Sequence, residues 1–124
     1  MKLIERINQL ATIGQTEQGI CRTAGSVEDA MGKSLIVEWM FDAGMTVHKD
    51  EFQNIIGVLP GEGSPIVTGS HTDTVATAGK YDGALGVLSA LEAAETLRCD
   101  LKSPLEIVIF NDEENSMSGS IGYS

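Results

Sequence analysis

The chain has 124 residues, 42% of them hydrophobic, a length that supports one domain with a modest core and gives no reason to divide it. Eighteen acidic against eight basic residues give a formal net charge of −10, which repels a polyphosphate backbone or an anionic membrane surface and removes nucleic-acid and membrane-surface binding from the first readings. The opening MKLIERINQL sets Glu5 and Arg6 where a secretory signal needs an unbroken apolar stretch, and no run is long enough to span a bilayer, so a cytoplasmic location is expected.

Leu3, Ile4, Ile7, Leu10 and Ala11 recur at helical spacing, which predicts a short amphipathic helix ending before Gly14. Residues 12–25, TIGQTEQGICRTAG, are polar and glycine-containing and read as a long loop. Ser26 with Asp29 three positions on resembles a capping arrangement, in which the hydroxyl accepts from an orphan N–H of the first turn. The helix so started is expected over residues 27–43, with Ala30, Met31, Leu35, Trp39 and Met40 facing inward and Gly44 as the left-handed terminating residue. MTVHKDEF and NIIGVLP then read as the strands of a hairpin, the second stopped by Pro60 and the GEGS turn. Two more strands are expected at residues 65–70 (PIVTGS) and 104–111 (PLEIVIFN). The Ala- and Leu-rich stretch Ala84–Leu97 between them has the length of a helical crossover joining parallel neighbours. Cys21 and Cys99, isolated and without a CxxC spacing, are expected to be reduced structural thiols.

Three polar groups carry chemistry: His71 with Asp73 in GSHTDTV, Asp82 in YDGALGV, and Asp112, Glu113 and Glu114 in NDEEN. Each alone has an ordinary explanation, since a lone histidine is more often a hydrogen-bonded loop residue than a ligand, and Asp before Gly is usually a turn. Their placement changes the reading. His71 follows one parallel strand, Glu113 and Glu114 follow the other, and Asp82 stands just before the connecting helix, so all fall at the carboxyl edge where open α/β sheets bind ligands. Mixed His, Asp and Glu donors suit zinc or another first-row divalent ion, manganese included. Asp73 is placed to accept from the second imidazole nitrogen of His71 and so fix its tautomer. Of the adjacent glutamates, one can ligate while the other takes a proton from a water that the cation has made more acidic.

The string GSHTDTVATAGKYDGALGVLSALE, followed by a strand ending FNDEEN, resembles the signature of the N-carbamoyl-L-amino-acid hydrolase and allantoate amidohydrolase (hydantoinase/carbamoylase) family. The upstream LATIG, the loop containing Arg22, EWMFDAGMTV, Asp50 and QNIIGVLPG are similar to the same family's N-terminal sequence, so the resemblance covers essentially the whole chain. It implies an α/β, partial three-layer, zinc-exopeptidase-like catalytic domain with a mixed, largely parallel sheet and flanking helices. It further implies two divalent metal ions (Zn, Mn or Co), with His71 and Glu114 each a ligand of one metal, Asp82 the bridging carboxylate, Glu113 the general base and Asp73 the residue that orients His71. The implied reaction is hydrolysis of a C–N bond in a small ureido or amide substrate, in a parent that forms a homodimer. The short step from His71 to Asp82 favours this branch over related dinuclear dipeptidases and aminoacylases, which place a longer segment there.

Two departures qualify the resemblance. After the paired glutamates the family continues with Gly and an Arg–Phe pair, whereas Asn115, Ser116, Met117 and Ser118 stand here. Family members are also longer, adding the rest of the sheet, a lid or dimerisation domain and two further metal-binding histidines. The one other histidine here is His48, expected to be an ordinary edge-strand residue. Residues 1–124 are thus expected to be the N-terminal part of such a catalytic domain with an incomplete ligand set, inactive alone. Dipeptidase or aminoacylase chemistry on the same ligands, and a decayed domain without catalysis, are the alternatives.

Overall fold

The computed structural model describes residues 2–115. Helix α1 (Lys2–Ala11) is followed by a two-stranded ribbon, β1 (Gln15–Thr16) and β2 (Gly19–Ile20), then helix α2 (Val27–Asp42), strands β3 (Thr46–Lys49), β4 (Ile55–Leu59) and β5 (Ile66–His71), helix α3 (Ala84–Leu97) and strand β6 (Leu105–Phe110). The main sheet runs β3-β4-β6-β5. β3 and β4 form the expected antiparallel hairpin, β4 pairs antiparallel with β6, and β5 lies parallel to β6 with His71 opposite Phe110.

Ser26 caps α2 as its position predicts, accepting from the amide of Asp29 at 3.0 Å, while the Asp29 carboxylate accepts from the amide of Gly25 at 3.1 Å. At the other end Met45 N–H bonds back to Met40 at 3.0 Å around Gly44, whose φ is 86°. β4 and β6 alternate, so Ile55, Leu59, Leu105, Ile107 and Ile109 point to one face. There they join Ile7 and Leu10 of α1, Ile36 and Met40 of α2, and Val87, Leu88 and Leu91 of α3 in a single core. All three helices therefore cover the same face. Burying a side chain such as Leu88 or Leu91 completely contributes about 1.5–3 kcal/mol each. Arg6, although charged, is also buried, held by Glu95 of α3 at 2.5 and 3.1 Å and stacked 5.2 Å from the Trp39 ring.

Three expectations are corrected. The sheet is mixed, but two of its three pairings among the described strands are antiparallel, so it is not largely parallel here, and of the three layers a helical one and the sheet are present. Of the α2 residues expected inward, Met40 is buried and Leu35 and Trp39 pack half-buried against the core, but Ala30 and Met31 are exposed; the fully buried stripe is Asp29, Gly32, Ile36 and Met40. Met31 is 52% exposed. Apolar residues are scattered round this helix, with Val27, Met31 and Phe41 exposed, so its pattern does not decide which stripe turns inward; the buried Arg22 packs against Gly32 on the stripe that does. Finally, residues 12–25 are not a plain loop: they contain the β1–β2 ribbon, and Ile20 exchanges two 2.9 Å hydrogen bonds with Ala78. Cys21 and Cys99 are free, and His48 lies exposed on the edge strand β3, as expected. No helix among the described residues is long and apolar enough to cross a membrane.

Candidate metal centre

The parallel β5–α3–β6 unit places the end of β5, the start of α3 and the end of β6 at one sheet edge. His71 is the last residue of β5 and 7% exposed; Thr72, Asp73 and Thr74 after it are fully buried. Asp82 precedes α3 by one residue, Gly83, which adopts φ 73° and ψ −48°. The amide of Ala84 bonds the Asp82 carbonyl at 2.8 Å, so Gly83 is the centre of a tight three-residue turn aiming Asp82 back at the sheet. After β6 the chain turns through Asp112, at φ 54° and buried, which presents Glu113 and Glu114 to the same spot.

His71 Nε2 lies 3.3 Å from Glu113 Oε1, 3.6 Å from Glu114 Oε1 and 3.8 Å from Asp82 Oδ1. One donor atom each from His71, Asp82 and Glu114 falls within 4.8 Å of the others, a group that can hold a metal ion. The other ring nitrogen, Nδ1, is 2.9 Å from the backbone carbonyl of Asp73 and 3.6 Å from its carboxylate. A carbonyl only accepts, so Nδ1 carries the hydrogen and the neutral ring turns its Nε2 lone pair toward the carboxylates. A lone pair facing several anions needs a positive charge between them, and a divalent cation fits that donor set. Without one, the proton takes its place. Burial disfavours the imidazolium, but the contacts and charge of Asp73 and the charge of Glu113 override it and raise His71 to about 9. Desolvation and the neighbouring charges of Asp82 and Glu113 raise the Glu114 carboxyl, against the pull of His71.

Asp73 does more than face the imidazole. Its two carboxylate oxygens accept the backbone amides of Glu113 at 3.3 Å and Glu114 at 3.1 Å, so one residue ties the loop after β5 to the loop after β6. Burial pushes its carboxyl up, but the His71 ring and these two amides outweigh this and hold it below the usual range. A second brace was not read from the sequence. Asn54, fully buried, accepts from the Asn111 amide at 2.7 Å, and Lys33 reaches Asn111 Oδ1 at 3.0 Å and Asp29 at 3.1 Å. The available signal was positional: an asparagine immediately before β4 and another immediately after β6. Asp112, grouped with the glutamates in the sequence, is part of the turn and not of the converging set. Asn115 closes that turn at φ 58°, while Ser116, Met117 and Ser118 lie outside the described residues.

A mixed α/β sheet bearing an imidazole and carboxylates at its carboxyl edge is the setting of a metal-dependent hydrolase fold. Residues 54–124 match Peptidase family M28, and the chain belongs to that family. Its nearer similarities are to hydantoinase/carbamoylase proteins. It is 39% identical over 119 residues to an allantoate deiminase of Arabidopsis thaliana, covering 90% of this chain and 23% of the relative. It is 39% identical over 117 residues to an N-carbamoyl-L-amino-acid amidohydrolase of Pseudomonas sp. (strain NS671), covering 89% and 28%. The crystal structure of a hydantoinase/carbamoylase family amidase from Burkholderia multivorans superimposes with a TM-score of 0.88 at 38% identity, over 93% of this chain and 30% of that one. The chain thus spans roughly a quarter of the length of the curated relatives it matches.

Proposed function

We propose that this chain carries half of the metal centre of an amidohydrolase that cleaves the C–N bond of N-carbamoyl amino acids, allantoate or a similar small ureido or amide substrate. The carrying observation is the convergence of Asp82, Glu113 and Glu114 on His71 Nε2 within 3.8 Å. His71, Asp82 and Glu114 would hold the zinc, manganese or cobalt ions. Bound there, the cations would polarise the scissile carbonyl and make water a better nucleophile.

The remaining work falls to the chain's own groups. Glu113, 37% exposed at its side chain, is the more accessible of the two glutamates and the general base. It takes the proton of the attacking water and returns it to the leaving nitrogen as the C–N bond breaks. Asp73 keeps Nδ1 protonated and Nε2 turned to the acids, and holds the amides of both glutamates. The share of the relatives' length covered supports assigning residues 1–124 to the N-terminal part of the catalytic domain, with the lid, the dimer contact and further ligands elsewhere in a cytoplasmic parent.

The family's peptidase name favours a second reading, in which the same residues serve a dipeptidase or aminoacylase. Assaying the full parent protein loaded with zinc, manganese or cobalt against N-carbamoyl amino acids, allantoate, dipeptides and N-acyl amino acids decides between them. Turnover of the ureido substrates alone is expected. Turnover of dipeptides alone transfers the site to the second reading, and none with any metal removes both.

A further inference from the structure

Arg22 takes no part in the chemistry above, yet it is 1% exposed, among the most deeply buried side chains of the described residues. Burial pulls its pKa below the usual value, against the opposing charges of Asp29 and Asp73. Such a group is costly to bury unless it is hydrogen-bonded, and three of its five N–H donors meet backbone carbonyls. Nε donates to the Thr72 carbonyl at 2.9 Å, and Nη1 donates to the carbonyls of Leu10 at 3.1 Å and Ile13 at 2.8 Å. The backbone repeats the connection: Arg22 N–H donates to Thr74 Oγ1 at 2.7 Å, and Thr74 N–H to the Arg22 carbonyl at 2.8 Å. Leu10 lies in the last turn of α1 and Ile13 two residues beyond it, where carbonyls lack i+4 helical partners and favour a cation.

Thr72 is the one residue between His71 and Asp73 in the chain. We propose that Arg22 is a positioning residue for this centre: its planar fork, anchored on the end of α1, fixes the Thr72 peptide. The Asp73 carbonyl is thereby set against His71 Nδ1, and the Asp73 carboxylate against the amides of Glu113 and Glu114. Lysine keeps the charge but not the fork, so it cannot hold the carbonyls of Thr72, Leu10 and Ile13 together. Gly32 makes the room, since a Cβ there would lie 3.0 Å from Arg22 Cδ. The consequence for metal affinity rests on the proposed function; the geometric consequence does not.

The two are separated by measuring both on Arg22→Lys and Arg22→Met in the purified protein. The first readout is backbone amide hydrogen exchange without metal, and the second is zinc affinity by competition with a chromophoric chelator. Exchange at Glu113 and Glu114 is expected to accelerate much more than at Ile107 and Ile109 within β6. Zinc binding is expected to weaken about 10–100-fold, as for other partners that orient a ligand, with Arg22→Lys restoring melting temperature but not affinity. Should Arg22→Met not fold, Arg22→Lys and Gly32→Ala, which crowds the guanidinium without removing it, carry the comparison. Acceleration spread evenly over β6, or affinity recovered by lysine together with stability, makes Arg22 an ordinary core residue and overturns the proposal. Absence of zinc binding by the unaltered protein removes the metal reading, and the exchange pattern alone then decides for or against Arg22.

Discussion

Gly83→Ala is expected to damage the centre more than any other single-methyl change at this sheet edge. A Cβ at residue 83 would stand 2.3 Å from the His71 carbonyl oxygen, 2.6 Å from its Cε1 and 2.7 Å from its Nδ1. Restoring ordinary contact requires His71 or the turn to move by about 1 Å, comparable to the margin that keeps Nε2 near its three carboxylates. The backbone adds its own cost, because at φ 73° and ψ −48° a residue with a side chain is strained by about 1–3 kcal/mol. Overpacking a rigid neighbour contributes about 1–3 kcal/mol more. Together these predict a loss of about 4 kcal/mol in urea unfolding, and loss of the stabilisation that zinc confers. Gly79→Ala in the same connection is the control, since a Cβ there meets nothing within 4 Å. If both variants unfold at the same urea concentration and respond equally to zinc, the contact between this turn and His71 is not what shapes the site.

Other outcomes follow from the same geometry. His71 is raised to about 9 in the metal-free protein, above its ordinary 6.5, so its stabilisation is fully present below about pH 6.5 and is lost as pH climbs through 9. Urea midpoints of the metal-free protein should therefore fall over that window, by an amount on the order of 3 kcal/mol at most, and His71→Gln should flatten that part of the profile. Zinc must displace this proton, so its apparent affinity should rise about tenfold per unit between pH 6 and 8; calorimetric titration at both ends measures it, and a flat response contradicts the assignment of His71 as ligand. Asp73→Asn leaves one amide of the glutamate loop facing an NH2 group instead of an oxygen. It should weaken zinc binding about 10–100-fold with little change in secondary structure by circular dichroism. Ser26→Ala removes the α2 cap and should cost about 1 kcal/mol in unfolding while leaving zinc affinity unchanged.

The elements were legible because each rests on local pattern. The α3 helix begins and ends where its Ala- and Leu-rich run does, and Ser26 and Gly44 mark the ends of α2 through groups adjacent in the chain. The site was legible for a related reason: a strand–helix–strand crossover puts the residues after each strand at the same edge whatever their side chains, so His71, Asp82, Glu113 and Glu114 meet by topology.

Partners distant in sequence were not legible. The stripe of α2 that turns inward is the one with Arg22 seated against Gly32, and Arg6 is buried because Glu95, 89 residues away, receives it. Asp73 stands close to the imidazole as its spacing suggests, but its grip on the amides of residues 113 and 114 spans forty positions and leaves no periodic trace. Local sequence set the inventory of helices and strands and the edge where the acids gather, because propensity and period act over a few residues. The orientation of those groups was decided by buried polar contacts between segments far apart in the chain, which exist only once the core has closed around them.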